Sequence, residues 1–295
     1  MKRRIFTGSS TAIVTPFYDG AVDYTTLGKL IDFQLANNTQ AIIICGTTGE
    51  ASTLSDDEHK DVIDFAIKHV NKRVPVIAGT GSNHTDYSVE LSVHAAKSGA
   101  DGLLLVTPYY NKTTQKGLVK HFMTIADSVD VPIIVYNVPG RTNLNILPET
   151  YLELSKHPNI VATKEANGLI NTIAQVRALC GENLDIYSGN DDWITPVLSL
   201  GGAGVISVLA NILPAQTQQI CSLFFEGKVK ESADMQIKYI GLIDSLFCEV
   251  NPIPIKTAMG LLGMCSPEMR LPLCEMEDKN IARLKNSLIG AGFAL

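Results

Sequence analysis

Eight short apolar, β-branched runs recur along the chain, and their spacing constrains the fold more than any other feature. They lie at residues 11–15 (TAIVT), 41–45 (AIIIC), 74–78 (VPVIA), 102–106 (GLLLV), 132–136 (PIIVY), 160–164 (IVATK), 184–188 (LDIYS) and 204–208 (GVISV). Their starts advance by roughly 20–30 residues, about the length of a strand plus a crossover helix. Runs that are apolar at nearly every position predict strands buried on both faces, as in an all-parallel sheet.

The intervening segments read as helices. Ser55-Asp56-Asp57-Glu58 is a capping box that opens a helix through about His69. Asp23 precedes Leu27, Leu30, Ile31 and Leu35 at helical spacing, and Pro148 suits the first turn of another helix, where no backbone donor is needed. Val89, Val93 and Ala96 mark a further one, ended by Ser98-Gly99-Ala100. Eight strands alternating with helices predict a closed (β/α)8 (TIM) barrel. The alternative, an open doubly wound sheet, usually carries a Gly-x-Gly-x-x-Gly turn after its first strand, and none follows residues 11–15. The barrel is expected to occupy residues 1–225. Residues 226–295 are expected to form a C-terminal helical extension, interrupted at Asn251-Pro252-Ile253-Pro254 and Ser266-Pro267.

Composition removes several classes of function. Of the 295 residues 45% are apolar and only 18% charged, which excludes intrinsic disorder. The net charge is −6, tryptophan occurs once, and the one basic run is Lys2-Arg3-Arg4, so no nucleic-acid partner is expected. No stretch approaches the ~18 consecutive apolar residues of a membrane helix, and no apolar segment follows the basic start as in a secretory signal. A soluble, cytoplasmic protein is expected, with its six widely spaced cysteines reduced and mostly buried. The six histidines include no His-Glu-x-x-His pattern, and Asp191 and Asp192 have no histidine nearby, so no metal is expected. Glu58-His59 reads as a surface feature. Nothing suggests a nucleotide, flavin or nicotinamide cofactor; the glycine-rich 201–204 run precedes the last strand, at the face opposite the usual phosphate site.

In such barrels chemistry sits at the C-terminal strand ends. Lys164 closes one apolar run and, by alternation with Ala162, points into the barrel. Desolvation there lowers an amine toward the range in which it attacks carbonyls. Taken alone, Lys164 is equally a surface lysine or one half of an ion pair with Glu165. Tyr136 ends the neighbouring run and is a proton relay or a packing aromatic. Thr47 and Thr48, in Gly46-Thr47-Thr48-Gly49-Glu50, offer hydroxyls and amides to a small carboxylate or form an ordinary loop. Arg141, after a Pro-Gly turn, is a carboxylate fork or an exposed loop arginine.

Together Gly46–Glu50, Tyr136-Asn137-Val138-Pro139-Gly140-Arg141 and Lys164-Glu165-Ala166 stand in the order and spacing of known enzymes. The chain resembles the pyruvate-dependent, Schiff-base class I aldolases of the N-acetylneuraminate lyase superfamily, and within them the 4-hydroxy-tetrahydrodipicolinate (dihydrodipicolinate) synthase family. The likeness extends through Thr107-Pro108-Tyr109-Tyr110-Asn111-Lys112 to the helical tail. It implies that Lys164 forms an imine with pyruvate while Tyr136 relays protons through a hydroxyl chain with Thr47 and Tyr110, the latter reaching across a dimer contact. It implies that Thr48 holds the pyruvate carboxylate and Arg141 that of aspartate semialdehyde, with Gly189 and Ile206 completing the pocket. A homotetramer built as a dimer of dimers, no cofactor, and a place in lysine and diaminopimelate biosynthesis follow from the same likeness. Another pyruvate aldolase or lyase, or a non-catalytic keto-acid-binding barrel, are the alternatives. Arg141 separates the first from lyases whose second substrate is a neutral sugar aldehyde.

Family members inhibited by lysine use a histidine, an asparagine, a glutamate and a tyrosine at the dimer contact. His59, Asn83 and Tyr109 match, whereas Tyr87 replaces the glutamate and Asp56 a second histidine. Weak or absent lysine inhibition is therefore expected.

Overall fold

Each apolar run becomes a strand, and the alternation inside it decides what faces the barrel axis. The computed structural model describes residues 2 and 4–295; Arg3 of the Lys2-Arg3-Arg4 run lies outside the described residues. The strands are β1 (Gly8–Ala12), a short antiparallel hairpin of β2 (Phe17–Tyr18) and β3 (Ala21–Val22), then β4 (Ala41–Ile44) and β5 (Val76–Gly79). They continue as β6 (Gly102–Val106), β7 (Ile133–Asn137), β8 (Ile160–Glu165), β9 (Asp185–Ser188) and β10 (Gly204–Ser207). Apart from the hairpin they are parallel and close into a barrel in the order β1-β10-β9-β8-β7-β6-β5-β4. This is the expected (β/α)8 barrel with a C-terminal helical part.

Alternation splits the core into two layers. In β4, Ile43 joins Ala12, Ile77, Leu104, Ile134, Tyr136, Ala162, Tyr187 and Ile206 in the barrel interior. Ile42 and Ile44 instead pack outward against the helices. Phe6 stacks on Tyr187 at 4.2 Å between ring centroids, and the Tyr187 hydroxyl donates to the Phe6 carbonyl (2.7 Å), sealing the end of the barrel away from the site.

The helix starts follow their caps. Ser55 and Glu58 form a complete capping box for Asp56–Val70, Asp23 accepts from the Thr26 amide at the head of Tyr24–Ala36, and Pro148 opens Pro148–Leu154. The helix expected around Val89 and Val93 is Thr85–Ser98, but its buried side is Ser88, Leu91, Ser92 and Ala95.

Three expectations need correction. The first strand covers Gly8–Ala12 rather than 11–15, because Ser9, Ser10 and Thr11 are small enough to be fully buried and donate their hydroxyls to Gln218, the Val205 carbonyl and Gln34 on neighbouring elements. His59 is not a surface residue: the first turn of its helix lies over the end of β5, and its ring pairs with the Gly79 carbonyl (2.8 Å). The cysteines are buried only at Cys45, Cys180 and Cys221, while Cys274 is exposed.

After β10 come the helices Pro214–Phe225, Val229–Lys238, Ile240–Leu246, Ile253–Leu261 and Asp278–Gly290. The segment around Asn251 and the helix Ile253–Leu261 return to the strand ends. There Lys256 and Glu50 form a fully buried ion pair at 2.6 Å, with the Lys256 ammonium 4.3 Å from the Phe17 ring centroid. Arg270 grips both Glu58 carboxylate oxygens (2.6 and 2.7 Å) and lies over the same ring. Breaking a buried pair by removing one partner costs about 3–5 kcal/mol, so this clamp fixes the tail to the Gly46–Glu50 loop. Among the described residues no helix is long and apolar enough to cross a membrane.

Candidate active site

The register of β7, β8 and β9 places Lys164 between two tyrosines. Tyr136 pairs with Lys164 across one edge and Tyr187 across the other, so all three side chains face the interior. The Lys164 Nζ lies 4.4 Å from the Tyr136 ring centroid, close enough for a cation–π contact. Lys164 is only 5% exposed. Burial pulls its ammonium down to about 8, with the Asp191 carboxylate opposing that shift and the Arg141 cation adding to it.

Glu165 does not pair with Lys164, which removes one of the alternatives left open by the sequence. Its side chain turns to the other face of β8. There its carboxylate accepts from the Tyr151 hydroxyl (2.7 Å), the Asn137 amide (2.9 Å) and the Asn167 backbone N–H (3.0 Å). Burial still pushes it up to about 7.

Tyr136 is a buried, neutral phenol at ordinary pH. Desolvation pushes its hydroxyl up to about 12 against the Arg141 charge and a hydrogen bond with the Thr47 side chain. Thr47 belongs to a tight turn in which the Gly49 and Glu50 amides donate to the Gly46 and Thr47 carbonyls (both 3.1 Å). Thr48 is buried, and its hydroxyl accepts from the Asn251 side-chain amide (3.0 Å). Arg141 lies in the short helix Pro139–Thr142 and donates through Nη2 to the Asn251 carbonyl (3.0 Å). One residue of the tail thus touches both groups to which the family resemblance gives the substrate carboxylates.

Gly189 follows β9 beside the lysine. A Cβ there would stand 2.8 Å from the Ala166 Cβ and 3.2 Å from the Lys164 Cε, so only glycine leaves the lysine stem its room. Ile206 is fully buried in the interior layer. Tyr110 is the residue that the fold does not bring to the others: it is 94% exposed, on a loop residue with positive φ.

A cavity of about 590 Å³ opens over these strand ends, lined by Thr47, Tyr136, Val138 and Arg141 on one side and by Asp56, His59, Ser82 and Tyr87 on the other. Its volume suits a small ligand. Lys164 stands next to Tyr136 rather than on the cavity wall itself.

Sequence reasoning missed the roles of Asn251 and Lys256. Each acts on a residue more than two hundred positions away, with separations of 203 and 206 residues, and no local pattern announces such a pairing. From the sequence, Asp191 offers only a metal ligand with no histidine nearby. It is buried, its Oδ2 accepting from the Val208 and Leu209 amides (3.0 and 2.9 Å).

Comparison with known proteins bears on this arrangement directly. The profile of the dihydrodipicolinate synthetase family matches residues 5–290. The chain is 58% identical over 289 residues to 4-hydroxy-tetrahydrodipicolinate synthase of Caldicellulosiruptor saccharolyticus, covering 98% of each. It is 55% identical over 288 residues to 4-hydroxy-tetrahydrodipicolinate synthase 1 of Clostridium acetobutylicum, again covering 98% of each. The crystal structure of dihydrodipicolinate synthase from Thermotoga maritima superposes with a TM-score of 0.96 at 41% identity, over 98% of this chain and 99% of that one.

Proposed function

The chain belongs to the dihydrodipicolinate synthetase family, and from that membership we propose that its reaction is built on the amine of Lys164. It is an enzyme, a lyase of the class I aldolase type. Its reaction is that of the 4-hydroxy-tetrahydrodipicolinate synthases, which condense pyruvate with L-aspartate 4-semialdehyde in lysine and diaminopimelate biosynthesis.

The observation that carries the assignment of Lys164 is its burial beside Tyr136. With its ammonium brought to about 8, about a tenth of the side chain is free amine at pH 7, against roughly 0.04% for an ordinary lysine. The free amine adds to the pyruvate ketone, the C–O bond breaks, and water leaves as the iminium forms. The iminium withdraws electrons from the methyl group, which loses a proton to give the enamine, and the enamine carbon bonds to the aldehyde carbon. The substrate amine then closes onto the imine carbon and expels Lys164. Each of these steps moves a proton, and the Tyr136 hydroxyl, backed by Thr47, is the group we assign to move it. Thr48 would hold the pyruvate carboxylate, Gly189 and Ile206 would shape the pocket, and Arg141 would take the carboxylate of the semialdehyde.

The test is intact mass after incubation with pyruvate and borohydride. A single pyruvate-sized adduct, formed faster as pH rises through about 8, supports the reading. No adduct, under conditions that trap a known imine-forming enzyme, overturns it.

Arg141→Ala separates the two substrate sites. The variant is expected to keep imine formation within a few-fold and to lose about 10- to 100-fold in kcat/KM for the semialdehyde, the worth of a charge-assisted carboxylate bond. Equal loss at both steps assigns Arg141 a structural role through its bond to Asn251 instead.

Weak lysine inhibition belongs to the same reading. The Tyr87 hydroxyl donates to Asp56 Oδ1 (2.8 Å) at the far side of the cavity, so no free carboxylate replaces the missing glutamate. Losing that one bond costs about 10- to 100-fold in affinity. Half-inhibition by submillimolar lysine in a steady-state assay is the contrary result.

We further assign residues 1–225 to catalysis and residues 226–295 to bracing the substrate loops through Asn251 and Lys256. The working unit we propose is a cytoplasmic homotetramer, a dimer of dimers. The exposure of Tyr110 supports this, since a residue that completes the site of a second copy must project from its own.

A further inference from the structure

Asp191 stands at the end of β9, two residues past the glycine that packs against the Lys164 stem, and its position there is fixed. The residue is 1% exposed, and its Oδ2 is held by the amides of Val208 and Leu209 (3.0 and 2.9 Å) at the end of β10. Its Oδ1 is also buried and has no hydrogen-bond partner among the described residues. A carboxylate oxygen is seldom left in that state unless a charge nearby offsets it.

We propose that Asp191 is the counter-ion of the Lys164 iminium, a fixed anion that acts on the reaction only through the charge it holds near the ε-nitrogen. The proposal rests on Lys164 as the imine-forming amine. The other groups around that nitrogen do not serve. Tyr136, from β7, is a neutral phenol. Tyr187, from β9, donates its hydroxyl to the Phe6 carbonyl. Glu165, from β8 itself, is bound on the opposite face to Tyr151, Asn137 and Asn167. Arg141 is a cation and works against a positive charge on Lys164. Asp191 in turn is faced by Lys164 and by the buried thiol of Cys221, which is not a cation. Among the described residues, Asp191 is the buried carboxylate with an unpartnered oxygen, and it stands two residues past the Gly189 that packs on the Lys164 stem.

Two demands of the chemistry explain why one anion is useful here. The amine must be neutral to attack, which burial and Arg141 favour. The imine must then stay protonated, because only the cation makes the pyruvate methyl group acidic. A buried cation without a counter-charge would lose its proton and with it the electron sink. Burial raises the Asp191 carboxyl above its ordinary range while the amides of Val208 and Leu209 and the Lys164 charge oppose that rise, and an anion held in this way supports the cation without moving.

The experiment compares the parent with Asp191→Asn in two assays. In borohydride trapping with pyruvate, the pH of half-maximal adduct rate should fall by about one unit or more in the variant, as an amine relieved of a neighbouring anion must. In D2O without the semialdehyde, deuterium uptake into the pyruvate methyl group should slow at least tenfold, because the iminium is less acidifying. The asparagine oxygen can still accept from Val208 and Leu209, so a residue that merely braces the loop would leave the trapping midpoint unmoved. An unmoved midpoint overturns the proposal. Should Asp191→Asn not fold, Asp191→Ser keeps an acceptor for those amides and is judged by the same shift. A parent that traps no pyruvate at any pH overturns the Lys164 reading itself, a result distinct from a parent that traps normally beside an unshifted variant.

Discussion

Lys164→Ala is expected to lose the borohydride-trapped pyruvate adduct entirely and at least about 10⁴-fold in kcat/KM, on the scale of other covalent nucleophiles removed from their sites. The fold should survive. Removing the amine leaves Tyr136 and Tyr187 in place but takes away the charge that faces the buried Asp191 carboxylate, so the melting temperature is expected to stay level or fall slightly. The informative rival is Lys256, which is also buried and also lies over an aromatic ring. Its nitrogen, however, sits 2.6 Å from the Glu50 carboxylate and cannot attack a carbonyl without abandoning that pair. An adduct that persists in Lys164→Ala would move the chemistry to another amine, and peptide mapping of the trapped protein would show which.

What made Lys164 and Tyr136 legible was their position at the ends of apolar runs. A strand buried on both faces is written in residues that have few other uses, and a lysine or tyrosine closing such a run stands out. The same rule failed at β1, where Ser9, Ser10 and Thr11 fill the space with small hydroxyl side chains and the apolar letters that follow belong to the loop beyond the strand. It also passed over the hairpin β2–β3, whose strands are only two residues long.

The supporting parts of the site were illegible for a different reason. Asp191 is a surface-like letter in a polar turn, and its meaning comes from the amides of Val208 and Leu209 and from the lysine on the next strand. Asn251 looks like a helix-breaking Asn-Pro until the tail folds back and sets its amide on Thr48 and its carbonyl under Arg141. Local sequence reports what a residue does to its own element. It does not report which distant strand end that element will meet.

Tyr136→Phe carries the second large effect, an expected fall of about 10²–10⁴-fold in kcat, the usual worth of a positioned proton-transfer group. The substitution is narrow. It keeps the ring 4.4 Å from the Lys164 nitrogen and its packing in the barrel interior, and removes only the hydroxyl that meets Thr47. The fold and the cation–π contact should therefore persist, and the adduct should still be trapped, but more slowly. The pH profile gives an independent check. With its phenol pushed up to about 12, Tyr136 stays protonated across the working range, so its loss should lower the whole curve without moving the limb near 8 that belongs to Lys164. Unchanged turnover would take the phenol out of the mechanism and leave Thr47 as the relay. A displaced limb would instead make Tyr136 a regulator of the lysine's charge, because a proton carrier alters how fast the amine reacts and not the pH at which it becomes free.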